Sequence, residues 1–143
     1  MLPRMTRQAD NPVPPATLLY RRVPPRLESG YVRDKNRDCL RLSSAVFFGE
    51  EMSVVLGDTL AEEERTPQEA LAENPDFFLI AITAADAEEQ EQEVKRTPLE
   101  TEPAHGDVIG KKPKRVARAL RDRVEWVVAP EGLCPDQSLA VSG

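Results

Sequence analysis

Alternating apolar and polar residues predict three strands early in the chain. The first covers residues 17–23, the second covers residues 39–48, and the third covers residues 52–56. Residues 49–51, Gly-Glu-Glu, stand between the second and third runs and favour a hairpin. The polar segment 28–38 predicts a loop. The chain therefore begins its folded part with strands.

Two helix starts follow, at Thr66 and Thr83, each with an acidic residue three positions later. That spacing is typical of a capping box, in which the two side chains satisfy free N–H groups at the helix start. The first predicted helix ends near Glu73 and the second near Gln92. Residues 77–82 between them have no polar face, and they predict a central strand in the middle of the sheet, covered on both sides.

The longest patterned segment covers residues 105–129, after a predicted short edge strand at residues 94–97. A brief apolar run closed by Gly110 predicts a strand. Apolar residues at helical spacing from Pro113 onward then predict an amphipathic helix of about four turns. The alternation of Val124, Trp126 and Val128 is also compatible with a strand, but the helix is the favoured interpretation.

The order of these elements predicts an α+β fold, namely a single small domain with a mixed β-sheet and about three helices. Residues 1–16 are rich in proline and predict a disordered or clasping arm. Residues 17–129 form the predicted domain, and residues 130–143 form a predicted loose, flexible tail.

Length and composition fit a globular protein. The chain has 143 residues, of which 40% are hydrophobic and 31% are charged, and its net charge is −6. Its apolar runs fall short of the ~20 residues that cross a bilayer, and the N-terminus lacks the apolar region of a secretory signal. Only Cys39 and Cys134 are present, far apart, so neither a disulfide framework nor a zinc site is expected. A cytoplasmic location is the expectation.

Charge is unevenly distributed along the chain. Residues 61–103 carry three basic and thirteen acidic residues, a net charge of −10, whereas residues 104–128 carry seven basic and three acidic residues, a net charge of +4. A folded protein with such a sequence can present one acidic and one basic side.

The basic residues concentrate where the last predicted helix begins, although cations there oppose the helix dipole. The turn and the free N–H groups of the helix therefore predict a site for an anion or for a partner's carboxylates. Its candidate residues are His105, Gly110, Lys111, Lys112, Lys114 and Arg115, with Ser43 and Ser44 nearby. The alternative is that these cations extend into water or pair with the acidic middle of the same chain.

Several classes of function lack support in the sequence. The turn is not a Walker A motif, because His105 stands where the first glycine belongs and no Ser or Thr follows the lysines. The negative net charge and the paucity of aromatic residues argue against a nucleic-acid partner. A lone histidine and a Ser pair without the G-x-S-x-G turn do not indicate catalysis. No catalytic residue, metal or cofactor is predicted.

Seven short motifs form a series across residues 19–130. They are Leu19-Tyr20-Arg21-Arg22-Val23, Arg41-Leu42-Ser43-Ser44-Ala45 with Phe47, Met52-Ser53-Val54, Thr66-Pro67, Pro103-Ala104-His105 with Val108, Gly110-Lys111-Lys112, and Glu125-Trp126-Val127-Val128.

This series resembles a family of short uncharacterised bacterial proteins, and the resemblance covers nearly the whole predicted domain. It implies no established activity. The family pattern has Lys-Asp where this chain has Phe48-Gly49, and Thr where this chain has Pro113. Both differences remove polar groups from the places that a ligand site would use, which favours binding over catalysis.

The sequence thus predicts a small acidic adaptor that docks on a larger protein through a basic strand-turn-helix surface. The alternative is a small enzyme or sensor for a phosphorylated metabolite or nucleotide, which would use the Gly110-Lys111-Lys112 turn with His105. The alternative requires a concave pocket at Gly110 lined by His105 and both serines, whereas docking requires a flat or convex surface.

Overall fold

A computed structural model describes residues 11–140. The strands are β1 (Leu18–Val23), β2 (Tyr31–Asp34), β3 (Cys39–Leu42), β4 (Glu51–Leu56), β5 (Phe78–Thr83), β6 (Glu93–Arg96), β7 (His105–Ile109) and β8 (Glu125–Val128). The α-helices are α1 (Gly57–Glu62), α2 (Ala84–Glu89) and α3 (Lys114–Arg121), and two 3-10 helices cover Ser44–Phe47 and Pro67–Leu71.

Six strands form one sheet in the order β6-β7-β4-β1-β5-β8, and β2 pairs with β3 in a separate hairpin. Neighbouring strands of the sheet run antiparallel, and an isolated parallel bridge joins Trp126 of β8 to Leu139. The α+β class with three α-helices is confirmed.

Because side chains alternate along each strand, the sheet packs against other elements on both of its faces. On the first face, Leu19, Val54 and Val108 pack with Val116 and Leu120 of α3. The first 3-10 helix and α2 belong to the same layer. On the second face, residues such as Val55 and Ala81 pack with Leu60 of α1 and with the second 3-10 helix. The second face is only partly covered, and its uncovered part forms a cleft.

The helix starts at the two threonines are confirmed. The Thr83 side chain accepts a hydrogen bond from the Asp86 N–H, and Asp86 accepts one from the Thr83 N–H. The Glu69 carboxylate accepts a hydrogen bond from the Thr66 N–H at 2.6 Å. The β6 edge strand and the β7 strand also lie where the sequence predicts them.

The prediction of one long helix from Pro113 to the end of the segment is wrong. The helix α3 ends at Arg121, and β8 follows after a short turn. Val124 and Trp126 are buried whereas Glu125 is exposed, and β8 pairs with β5. The period-two pattern prevails because the edge of β5 offers backbone partners, which periodicity within one segment cannot reveal.

Four local features also differ from the sequence prediction. Residues 31–34, assigned to a loop, form β2, because β3 supplies a pairing partner. Residues 44–47 form a 3-10 helix rather than the end of a strand, and residues 57–62 form the unpredicted α1. The apolar strand β5 lies next to the sheet edge, between β1 and β8, instead of in the middle.

The segment after Ala129 is attached to the domain, although the sequence analysis assigned it to a flexible tail. Cys134 is buried and forms a disulfide bond with Cys39, which corrects the expectation of no disulfide. Leu133 bridges Leu40, and the Gln137 Oε1 atom accepts hydrogen bonds from the Leu42 N–H and the Trp126 indole. The fold therefore continues to Ala140, the last described residue.

The described part of the predicted arm, residues 11–16, lies against the domain. The Pro14 carbonyl accepts a hydrogen bond from the Thr17 N–H, and the Pro15 carbonyl accepts one from Ala85. The Pro12 carbonyl accepts one from the buried Arg96 guanidinium at 3.2 Å. Residues 1–10 of that prediction lie outside the described residues. Within the described range, no helix is long and apolar enough to cross a bilayer.

We expect the double variant Cys39→Ser/Cys134→Ser to lose about 2–4 kcal/mol of unfolding free energy, because the cross-link limits the freedom of the unfolded chain. Urea unfolding followed by circular dichroism measures the loss. The wild type in a thiol reductant should approach the double variant, while the reductant should leave the double variant unchanged. An unfolding midpoint of the wild type that does not respond to the reductant would contradict the cross-link.

Candidate functional site

Lys112 points into the protein and not toward a ligand. Its side chain is buried, and its ammonium donates hydrogen bonds to the carbonyl oxygens of Gly49 at 2.7 Å, Val108 at 2.8 Å and Gly110 at 3.0 Å. Burial lowers the pKa of Lys112, and the nearby Arg21 lowers it further. The ammonium thus ties the start of β4 to the end of β7.

Lys112 and Gly110 are therefore removed from the predicted anion site. Gly110 has φ of +150°, and a Cβ atom built on it would lie 2.7 Å from the Gln92 Oε1 atom. The positive φ favours glycine at this turn, and a side chain there would also displace the end of the Gln92 side chain. The Gln92 amide also donates a hydrogen bond to the Lys111 carbonyl. The turn is occupied by the protein's own groups.

Four cations around α3 remain available. Lys111, Lys114, Arg115 and Arg118 are exposed, and we call them the α3 basic surface. Lys114 and Arg115 lie four and three positions before Arg118, so the three side chains share one side of the helix. That side is opposite the one that Val116 and Leu120 bury. The first turn of α3 has no acidic residue and no side-chain cap.

The α3 basic surface has no carboxylate partner among the described residues, which sets it apart from most of the other arginines. Ion pairs to Asp or Glu are present for Arg33, Arg37, Arg41, Arg65, Arg96, Arg121 and Arg123. The alternative in which the cations near the helix start pair with the acidic middle of the chain is thus not realised at α3.

His105 lies elsewhere, at the opposite end of β7 from Gly110, about 16 Å along the strand at ~3.3 Å per residue. Its Nδ1 atom lies 2.8 Å from the Thr97 hydroxyl and 3.0 Å from the Thr97 carbonyl oxygen. It lines a cleft of about 300 Å³ on the second face of the sheet, together with Tyr20, Arg22 and Ser53. His105 and the lysine turn do not form one site.

An arginine braces one wall of this cleft. Arg65 donates two hydrogen bonds to the Glu102 carboxylate, both at 2.7 Å, and one to Glu63 at 2.9 Å. Glu102 also accepts a hydrogen bond from the Ala104 N–H. The Arg65 guanidinium lowers the pKa of Glu102. Partial burial acts in the opposite direction, and the hydrogen bond from the Ala104 N–H lowers the pKa further. The pair fixes the loop 97–104 beside the sheet.

The two serines have different surroundings. The Ser43 hydroxyl donates a hydrogen bond to the Glu28 carbonyl and accepts one from the Ala45 N–H, so it caps the first 3-10 helix. Ser44 begins that helix, which packs against α3. The cleft that contains His105 is lined by Ser53, and the two serines are not among its lining residues. The proposed pocket of His105 with both serines is not formed there.

Among the described residues, one group meets the distance requirement for a metal site: Asp34, Cys39 and Cys134. Both cysteines are oxidised in the disulfide bond. Because the thiolate is the form that binds metals, this group lacks its sulfur ligands in the structure described.

The cleft residues Tyr20, Arg22, Arg65 and Glu102 were not among the site residues predicted from the sequence. Each stands in an ordinary strand or loop pattern, and a cleft formed by elements distant in sequence leaves no local signal. Tyr20 and Arg22 belong to a motif of the family resemblance, but nothing in that motif indicates a cleft. No family model, curated protein or solved structure matches this chain.

Replacing Lys112 by Met should lower the unfolding free energy by roughly 2–4 kcal/mol, because the carbonyls that the ammonium now bonds would be left unsatisfied. Thermal and urea unfolding provide the measurement. The matched control is Lys111→Met at the adjacent exposed position, which should change stability by less than about 0.5 kcal/mol. Equal effects of the two variants would contradict the assigned role of Lys112.

Replacing Glu102 by Gln should cost about 1 kcal/mol at neutral pH, since the pair with Arg65 is partly exposed to solvent. A carboxyl whose pKa is lowered on folding stabilises the fold above its ordinary pKa of 4.5, and that contribution disappears as the pH falls through the lowered value. The difference between wild type and variant should therefore shrink in acid. Glu100→Gln, at an exposed position in the same loop, is the control, and a difference independent of pH would contradict this role.

Proposed function

We propose that this protein docks on an acidic surface of a larger protein through the α3 basic surface. The observation that carries the proposal is the exposure of Lys111, Lys114, Arg115 and Arg118, which have no carboxylate partner among the described residues. Cations in such a position attract an oppositely charged surface during the encounter and orient the two proteins. Arginine also forms paired hydrogen bonds with carboxylates, which adds directional specificity.

The position of the acidic residues favours one orientation of docking. The second 3-10 helix and α1, with their neighbouring glutamates, lie on the second face of the sheet, whereas α3 packs on the first face. A partner with negative charge is attracted at α3 and repelled on the opposite side. Acidic residues of α2 also lie in the first layer, but Arg123 pairs with Asp86 and Glu89 there.

The alternative, an enzyme or sensor for a phosphorylated metabolite at the lysine turn, receives less support. It needs His105 beside Gly110 and Lys112, yet His105 is at the far end of β7 and Lys112 is bonded to backbone carbonyls. A nucleic-acid partner is disfavoured by the net charge of −6.

The proposal also covers the protein family to which the chain belongs and the cellular compartment in which it acts. Membership of the family of short bacterial proteins that the sequence resembles is compatible with a binding role. A cytoplasmic location is the expectation from the sequence. The disulfide bond argues against it, because reducing compartments keep cysteine pairs as free thiols. Thiol labelling of the protein in intact cells would show which redox state accompanies the docking.

The double variant Lys114→Glu/Arg118→Glu should weaken binding of the docking partner about tenfold or more, because attraction becomes repulsion. The control, Arg26→Glu/Lys35→Glu, reverses two exposed cations away from α3 and changes the net charge equally. Partners captured by the wild type from its host are compared with those captured by each variant, and the affinities are then measured at increasing salt.

The control variant should retain the partner, with an affinity close to that of the wild type, and binding should weaken as salt screens the charges. Equal retention by both double variants would contradict docking through α3. If the wild type captured nucleic acid in preference to protein, the proposal that the partner is a protein would be contradicted.

A further inference from the structure

The cleft on the second face of the sheet has the form of a small-molecule site. Its floor includes Tyr20 of β1, Val55 of β4 and His105 of β7, which lie in one row because Tyr20 pairs with Val55 and Val55 pairs with His105. The second 3-10 helix forms one wall and the loop 97–104 forms the other. The cleft does not involve the α3 basic surface, which belongs to the opposite layer.

Several charged groups at the cleft already have partners within the protein. Arg65 is bonded to Glu63 and Glu102, and Glu69 accepts the hydrogen bond from the Thr66 N–H. Arg21 donates to the carbonyl oxygens of Val46 and Ser53. These groups shape the cleft and leave little capacity for a ligand.

The remaining polar groups are free to meet a ligand. Among the described residues, the side chains of Arg22, Ser53 and Glu73 form no hydrogen bond or ion pair, and the same is true of the hydroxyl of Tyr20. His105 uses its Nδ1 atom on Thr97, which leaves its Nε2 atom uncommitted. With Thr101, which also lines the cleft, one cation, three hydroxyls, one imidazole nitrogen and one carboxylate thus line the same space.

These groups point to the class of ligand, and we propose that the cleft binds a small molecule with one carboxylate and a neighbouring hydroxyl or ammonium group. The carboxylate would meet Arg22, which can donate two parallel hydrogen bonds to it, with Ser53 or Tyr20 as a further donor. Glu73 would accept a hydrogen bond from the hydroxyl or ammonium group.

Charge and size both favour this class over phosphorylated ligands. The lining contains three arginines, Arg21, Arg22 and Arg65, and three glutamates, Glu69, Glu73 and Glu102. A phosphate dianion would therefore meet one free cation and nearby carboxylates, whereas a monoanion is balanced by Arg22 alone. The volume of about 300 Å³ is at the lower limit of ordinary ligand pockets, which fits a small metabolite.

The test is a titration of isotope-labelled full-length protein followed by amide NMR shifts. The probes are small 2-hydroxy and 2-amino monocarboxylic acids, the amides of the same compounds, and inorganic phosphate. At least one acid should shift the amide signals of Tyr20, Ser53 and His105 in a saturable way. Its amide and phosphate should bind more weakly or cause no shifts.

The key variant is Arg22→Gln, which should weaken binding of that acid about tenfold or more through loss of a charged hydrogen bond. Its control is Lys95→Gln on the edge strand β6, at an exposed position outside the lining residues, where affinity should stay close to that of the wild type. His105→Asn should weaken binding as well. The spectrum of each free variant establishes that it is folded.

Three results would overturn the inference: no acid shifts the cleft signals at millimolar concentration, phosphate binds more tightly than every acid, or Arg22→Gln binds as well as Lys95→Gln. The variant Lys114→Glu/Arg118→Glu should bind the acid normally, because it changes the other face. Failure of partner docking and failure of ligand binding are thus separate outcomes.

Discussion

The buried ammonium of Lys112 connects the start of β4 to the end of β7, just before α3 begins. It bonds the carbonyls of Gly49, Val108 and Gly110, which belong to segments that meet at one end of β4 and β7. A buried cation is costly unless its donors are satisfied, and here backbone oxygens satisfy them. The turn into α3 is therefore set by an internal interaction, and the remaining cations of the same segment extend outward.

Arg21 illustrates the same principle on β1. It is partly buried, and it donates to the carbonyl oxygens of Val46 and Ser53. Burial lowers the pKa of Arg21, yet an arginine stays protonated at any physiological pH. Together, Arg21 and Lys112 show that basic residues in this protein have two distinct uses, and that net charge along the sequence does not separate them. Arg21 and Lys112 bond to backbone carbonyl oxygens inside the protein, whereas the cations of the α3 basic surface face solvent.

The sheet separates two surfaces of different character. The α3 side presents cations that have no carboxylate partner among the described residues. The other side presents a cleft whose walls contain paired charges and in which Arg22 has no partner within the same described range. The two proposed sites therefore lie on opposite faces of the sheet, so a protein partner and a small ligand would not compete for the same surface. Two described segments outside the predicted domain also attach to it: residues 11–16 lie against α2 and β6, and Cys134 is bonded to Cys39.

Local pattern was sufficient for much of the fold. The Thr83 capping box depends on contacts between residues close in sequence. The strand that ends at Gly110, the strand near Val94 and the order of elements that indicates the α+β class follow from apolar periodicity within each segment, so the sequence by itself determined them. It also located the cluster of basic residues from which the α3 basic surface is formed.

The tertiary structure alone decided which elements pair and which side chains face inward. Residues 124–128 became a strand because β5 offered an edge, and Cys134 met Cys39 across 95 positions of sequence. Lys112 turned inward because carbonyls from β4 and β7 converge there, and the cleft arose from β1, β4, β7 and two distant walls. Such contacts depend on the relative placement of distant segments, which no pattern within one segment encodes.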